Sequence, residues 1–154
     1  MKREELLKLF CENRNIFQKS LKWYEKSFKK CKKIDIANKS LDDLRESEVE
    51  SLETLAGRYG RTVDILINRI LLNLDLIEGE ETGRKLDVVI RAEKRGFVKD
   101  YSILLELKDL RNELAHEYID EEIRNRFLEI IEKGDVIMKI SEEIEKYIKK
   151  YKYC

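Results

Sequence analysis

Not one proline occurs in the 154 residues, and that absence constrains the fold more than any other feature of the sequence. Proline stops helices and sets many turns, and a chain without it keeps few ways to interrupt a helical run. Only 6 glycines are present, while hydrophobic and charged residues each make up 42% of the chain. Little remains for the Ser, Thr, Asn and Gly that β-rich and loop-rich proteins use in their turns. The composition predicts an all-α protein built from long amphipathic helices.

The apolar spacing places those helices. Leu6, Phe10, Phe17, Leu21, Tyr24, Phe28 and Cys31 follow at steps of three, four or seven and mark one face of a first helix ending near Lys32. Ser40, with Asp43 three residues on, resembles a helix cap, and the period continues behind it from Leu41 to Ile77 as a second long helix. Gly57 and Gly60 fall inside that helix, each at a cost of about 1 kcal/mol relative to Ala, and imply either a kink or a close crossing by another helix.

Between Ile65 and Ile77 the helix is apolar on more than one face, so it is either central or shared with a second subunit. A short helix from about Arg84 to Arg95 stops at Gly96. A fourth begins near Asp100 and reaches the His116 region. Asp120 then offers an N-cap for a fifth, which carries Ile123, Phe127, Ile130, Ile137, Ile144, Ile148 and Tyr151 on one face. The expected architecture is a single domain over residues 1–154, a five-helix, mostly antiparallel up-and-down bundle.

Charge and cysteine usage narrow the function classes. The 32 basic and 32 acidic residues balance, so no global field draws the chain to nucleic acid or to anionic lipid, and binding of that kind requires a local patch. Cys11, Cys31 and Cys154 are odd in number and widely spaced, which argues against a disulfide framework and against a zinc site. The charged N-terminal stretch and the lack of a long apolar run point to a cytoplasmic protein with no membrane association.

One segment carries recognisable chemistry. The single histidine, His116, ends the run Lys108-Asp109-Leu110-Arg111-Asn112-Glu113-Leu114-Ala115-His116-Glu117-Tyr118. A lone histidine on a helix is more often structural than catalytic. Arg111 in so charged a helix would ordinarily form a surface ion pair with Glu106, Asp109 or Glu113, and Tyr118 would close the helix end. An offset of five turns the helix about 140° beyond one full turn, so Arg111 and His116 diverge unless the helix stops or side-chain reach compensates. Asn112 lies one turn below His116.

The pattern R-x4-H-x-Y, written here as Arg111-Asn112-Glu113-Leu114-Ala115-His116-Glu117-Tyr118, resembles the motif of the HEPN superfamily and, within it, of the HepT-type toxins. Those are small cytoplasmic ribonucleases paired with a minimal nucleotidyltransferase antitoxin. The resemblance implies that Arg111 and His116 are catalytic with Asn112 in support, and that Tyr118 receives AMP from the partner. It also implies a homodimer whose motifs face each other across a cleft, with RNA as substrate and no cofactor or metal.

The chemistry of metal-independent RNA cleavage is consistent with that set. It requires a base for the 2′-OH proton, an acid for the departing 5′-oxygen and positive charge for the phosphorane oxygens. One histidine cannot easily serve as both acid and base, but a two-fold dimer brings two copies of His116 and Arg111 to one cleft. The rival reading is a non-catalytic, substrate-binding partner of a nucleotidyltransferase, and a plain helical interaction protein is a third.

Two basic clusters stand apart from the motif. Lys26, Lys29, Lys30, Lys32 and Lys33 surround Cys31, and Lys146, Lys149, Lys150 and Lys152 interleave with Tyr147, Tyr151 and Tyr153. Either is able to hold an RNA backbone and stack bases, although solvated helix faces commonly carry such charge.

Overall fold

The computed structural model describes every residue except Thr82, Glu117, Tyr118 and Ile119. Among the described residues it is all-helical, without strands, and no helix is long and apolar enough to cross a membrane. Helix α1 spans Arg3–Cys31, and α2 spans Glu46–Ile65. A π-helical segment, Leu66–Leu71, carries α2 without a break into α3, Leu72–Ile77. Then follow α4 (Lys85–Lys94), α5 (Ser102–Leu114), α6 (Asp120–Lys133) and α7 (Val136–Tyr151).

Counting the α2–α3 rod once gives six helical rods among the described residues, where the periodicity predicts five. The extra one comes from the last predicted helix, which divides at Gly134 and Asp135. Tyr24, fully buried on α1, fills that corner and donates its hydroxyl to the Gly134 carbonyl at 3.0 Å. A Cβ at Gly134 would collide with the same hydroxyl, so the break needs glycine and a tyrosine from a distant helix. Apolar periodicity runs through the corner because Ile130 and Ile137 both remain buried.

Cross-links fix the directions of the rods. Cys31 meets the Ser51 carbonyl, Arg58 meets Ser27, Ser20 meets Thr62 and Arg3 meets the Ile77 carbonyl, so α1 runs antiparallel to the α2–α3 rod. Arg14 and Gln18 meet Glu145, and Tyr24 meets Gly134, so α7 is antiparallel to α1 as well. Helix α5 runs parallel to α2, with Tyr59 donating to the Leu107 carbonyl at 2.8 Å and Arg111 reaching Asp64. Tyr59 is fully buried, so this hydrogen bond sets the height of α5 from inside the core.

The apolar excess between Ile65 and Ile77 is taken up within the chain. Leu66, Ile70, Leu71 and Leu74 are fully buried, and only Leu76 among the large apolar residues of that stretch stays exposed. Of the two explanations the sequence leaves open, the central position is the one realised. The segment is therefore not an argument for a second subunit.

Two local expectations are corrected. Ser40 does not cap the second helix. Its hydroxyl donates to the Asp43 carboxylate at 3.0 Å in a separate 3-10 turn, and α2 begins only at Glu46, where Glu48 accepts the Arg45 backbone N–H at 3.0 Å. Cys11 and Cys154, 143 residues apart, are joined as a disulfide with their Cα atoms 5.7 Å apart. Pairing of α1 with α7 brings them together, which sequence spacing does not reveal. Cys31 is the remaining thiol, buried and pushed up to about 11 by that burial.

The far end of the bundle is held by charge. Asp75, fully buried, pairs with Arg91 at 2.9 Å and Arg95 at 2.7 Å. Arg95 also holds Glu78, which accepts the hydroxyls of Tyr147 at 2.6 Å and Tyr153 at 2.7 Å. Burial by itself would raise the Glu78 carboxyl, but the two tyrosine hydroxyls and the Arg95 charge hold it below the usual carboxylate value. Tyr147 and Tyr153, which interleave with the C-terminal lysines, are therefore committed to a structural network. The arrangement docks the C-terminal tyrosines onto the α3–α4 corner.

Candidate active site

The site is made where α5 ends. Asp100 accepts the Ser102 N–H at 2.8 Å at the start of the helix, and Leu104, Leu107 and Leu110 bury one face of it. The helix stops at Leu114, and the N–H groups of Ala115 and His116 close a tight turn on the carbonyls of Asn112 and Glu113, each at 3.2 Å. That stop removes the angular conflict between Arg111 and His116. Both side chains now border the same cavity.

Arg111 turns toward α2. Its side chain crosses Gly60 so closely that a Cβ there would lie 2.9 Å from the Arg111 Cδ and 3.2 Å from its Nε. One turn further along α2, Asp64 takes the Arg111 Nε–H at 3.1 Å. Gly60 thus makes the close crossing anticipated from sequence, and the partner of Arg111 is on another helix rather than on its own. Glu113, a candidate partner by sequence, pairs instead with Arg126 at 3.1 Å. Gly57 has open space where its Cβ would be, and it borders the cavity.

The cavity encloses about 520 Å³, within the usual range for small-ligand clefts. Helix α2 contributes Glu53, Ala56, Gly57, Gly60, Arg61 and Asp64; the end of α5 contributes Arg111, Leu114 and His116; α6 contributes Ile123, Arg126 and Phe127. Three arginines thus face two carboxylates around an apolar wall. Arg111 is tied to Asp64, and Arg126 to Glu113 and Glu129, whereas Arg61 makes no ion pair among the described residues. The site therefore presents a cation held by Asp64, a cation bridging two glutamates and one without an ion pair among the described residues, beside an exposed imidazole. An oxyanion or a phosphodiester suits that arrangement.

Sequence reasoning found Arg111 and His116, and the fold brings them together. Asn112 is exposed and is not among the residues bordering the cavity. Tyr118 lies outside the described residues. Arg61, Asp64, Arg126 and Glu53 were not singled out, because their helices meet α5 only in three dimensions. The available signal was Gly60: a glycine deep in a helical run marks a surface that another side chain crosses. Among the described residues no group of three His, Cys, Asp or Glu side chains is placed to hold a metal ion.

The N-terminal basic cluster sits elsewhere, along a groove between α1 and α2 where Lys26 and Lys30 meet Arg58. Compared with known proteins, the chain matches no family model, no curated protein and no solved structure.

Proposed function

We propose that the protein is a metal-independent endoribonuclease of the HEPN type, acting as the toxin of a toxin–antitoxin pair whose other member is a minimal nucleotidyltransferase. The observation that carries this reading is the shared cavity of Arg111 and His116, with Arg61 and Arg126 on its other walls. A generic surface arginine would pair within its own helix, but Arg111 crosses a glycine to enter a cleft that also holds the chain's single histidine.

In this reading the phosphodiester of the RNA lies on the arginines. A base removes the proton of the 2′-OH, the 2′-oxygen attacks phosphorus, and the bond to the 5′-oxygen breaks as an acid delivers a proton to it. The products end in a 2′,3′-cyclic phosphate and a 5′-hydroxyl. Arg111 and Arg61 neutralise the charge that builds on the non-bridging oxygens, where fixed donors in a partly desolvated cleft are worth most. His116 carries one of the two protons. A second His116 from a two-fold partner carries the other, so the active species is a homodimer. The chemistry requires the 2′-OH, and DNA is not cut. Transfer of AMP to Tyr118, two residues beyond His116, sets a bulky anion beside these groups and turns the toxin off.

One observation favours the rival, a non-catalytic partner that presents a substrate to the nucleotidyltransferase. Arg111 is already engaged by Asp64 at 3.1 Å, as in a binding cleft whose charges are satisfied before a ligand arrives. Incubation of the purified chain with RNA in the presence of EDTA separates the two. Cleavage that disappears in His116→Ala supports the nuclease, and intact RNA with bound nucleotidyltransferase supports the rival.

A further inference from the structure

We infer that the groove between α1 and α2 is a binding site for single-stranded RNA, adjoining the Arg111–His116 cavity across the ridge of α2. The inference takes RNA as the ligand class from the proposed function, but it stands on different residues. The groove holds about 430 Å³ and is bordered by Lys26, Lys30, Arg58 and the hydroxyls of Ser47, Ser51 and Thr54, with Glu50 as its one carboxylate. A second hollow shares Lys30, Ser47 and Ser51 and extends it past Lys33 to Arg45, which is itself paired with Glu48 at 3.2 Å.

The groove gathers three cations that no carboxylate among the described residues neutralises. Several arginines elsewhere are tied to carboxylates, as Arg14 is to Glu145 and Arg95 to Glu78. Lys26, Lys30 and Arg58 have no carboxylate partner among the described residues. Arg58 is nevertheless fixed: its Nη1 donates to the Ser27 hydroxyl at 2.7 Å and to the Trp23 carbonyl at 3.1 Å. Both acceptors are neutral, so the guanidinium is held in place with its charge uncompensated. That arrangement is prepared for a phosphate.

Beside it stands an exposed indole. Trp23 is 47% exposed, with Lys26 Nζ 4.7 Å and the Arg58 guanidinium carbon 5.3 Å from its ring. An exposed aromatic ring in contact with cations at the edge of a polar groove supplies what proteins use to hold unpaired nucleotides, the ring taking a base and the cations its phosphates. A base arriving on Trp23 displaces Lys26 toward the backbone. A duplex keeps its bases stacked inside and has none to offer.

The groove also lies where an RNA strand leaving the cavity would go. Arg58 borders the groove and Arg61 the cavity, and side chains three apart on a helix are neighbours at about 5–6 Å. A strand crossing α2 at the open Gly57 surface therefore passes from one set of cations to the next.

Trp23 is the chain's sole tryptophan and lies against Lys26 and Arg58, so its fluorescence reports on this edge of the groove. The test titrates the full-length His116→Ala chain with a short single-stranded oligoadenylate at low salt. Quenching of Trp23 is expected. With end-labelled RNA followed by anisotropy, Trp23→Ala weakens binding about fivefold or more, and Lys26→Glu weakens it roughly threefold to tenfold with a shallower salt dependence. The melting temperature of both variants stays unchanged, because both side chains are exposed. No quenching, or equal quenching by duplex RNA, inorganic phosphate or polyglutamate, overturns the assignment. Cleavage assays on the wild-type chain keep this separate from the nuclease reading: quenching without cleavage leaves the groove standing and the nuclease fallen, and cleavage without quenching does the reverse.

Discussion

Arg111 lies across Gly60 with no room for a methyl group between them: a Cβ at Gly60 would come within 2.9 Å of the Arg111 Cδ. The contact puts an arginine from α5 against the backbone of α2 and delivers its Nε to Asp64. Gly60→Ala must therefore push the guanidinium away from its place in the cavity. The substitution also removes the cost of a helical glycine, about 1 kcal/mol, so stability should hold or change by less than about 1 kcal/mol. RNA cleavage should fall by an order of magnitude or more, a loss typical of a misplaced transition-state charge. A thermal melt and a cleavage assay on the same preparation check the two halves.

The corner between α6 and α7 depends on a single hydroxyl. Tyr24→Phe removes the donor to the Gly134 carbonyl and leaves that acceptor buried, at a cost of about 1–3 kcal/mol. Denaturant unfolding should show a lower midpoint with little change in slope. Cleavage should change little, because neither Tyr24 nor Gly134 borders the cavity.

Glu78 supplies a pH dependence with a definite sign. Its folded carboxyl is held below the usual value, so its contribution to stability is fully present at neutral pH. That contribution is lost as pH falls below about 4.3, the ordinary value for a glutamate, and through the lower folded value. Glu78→Gln should lower stability at pH 7 and flatten the acid limb of the stability curve below about pH 4. Melting temperatures of both proteins across that range measure it.

Much of the fold was legible because amphipathic periodicity is local. The ends of α1 near Cys31 and of α4 before Gly96 follow from residues within one turn of each, and the positive φ of 88° at Gly96 is what a helix stop there requires. The split at Gly134 was not legible, since its cause is a tyrosine 110 residues away. The Cys11–Cys154 disulfide was hidden for the same reason, its two residues being 143 apart. Part of the candidate site could be read from Arg111 and His116, which share one short segment. Asp64, Arg61 and Arg126 come from helices whose approach depends on packing, and Gly60 was the only mark they left in the sequence.

The account stands on His116 and Arg111 acting together on RNA. The most direct measurement follows the cleavage of an RNA substrate in EDTA by wild-type, His116→Ala and Arg111→Ala chains of equal helicity and melting temperature, with the product ends identified by mass. The account predicts 2′,3′-cyclic phosphate ends from the wild type and loss of cleavage in both variants. Undiminished cleavage by His116→Ala, or activity that vanishes with EDTA and returns with magnesium, would contradict it.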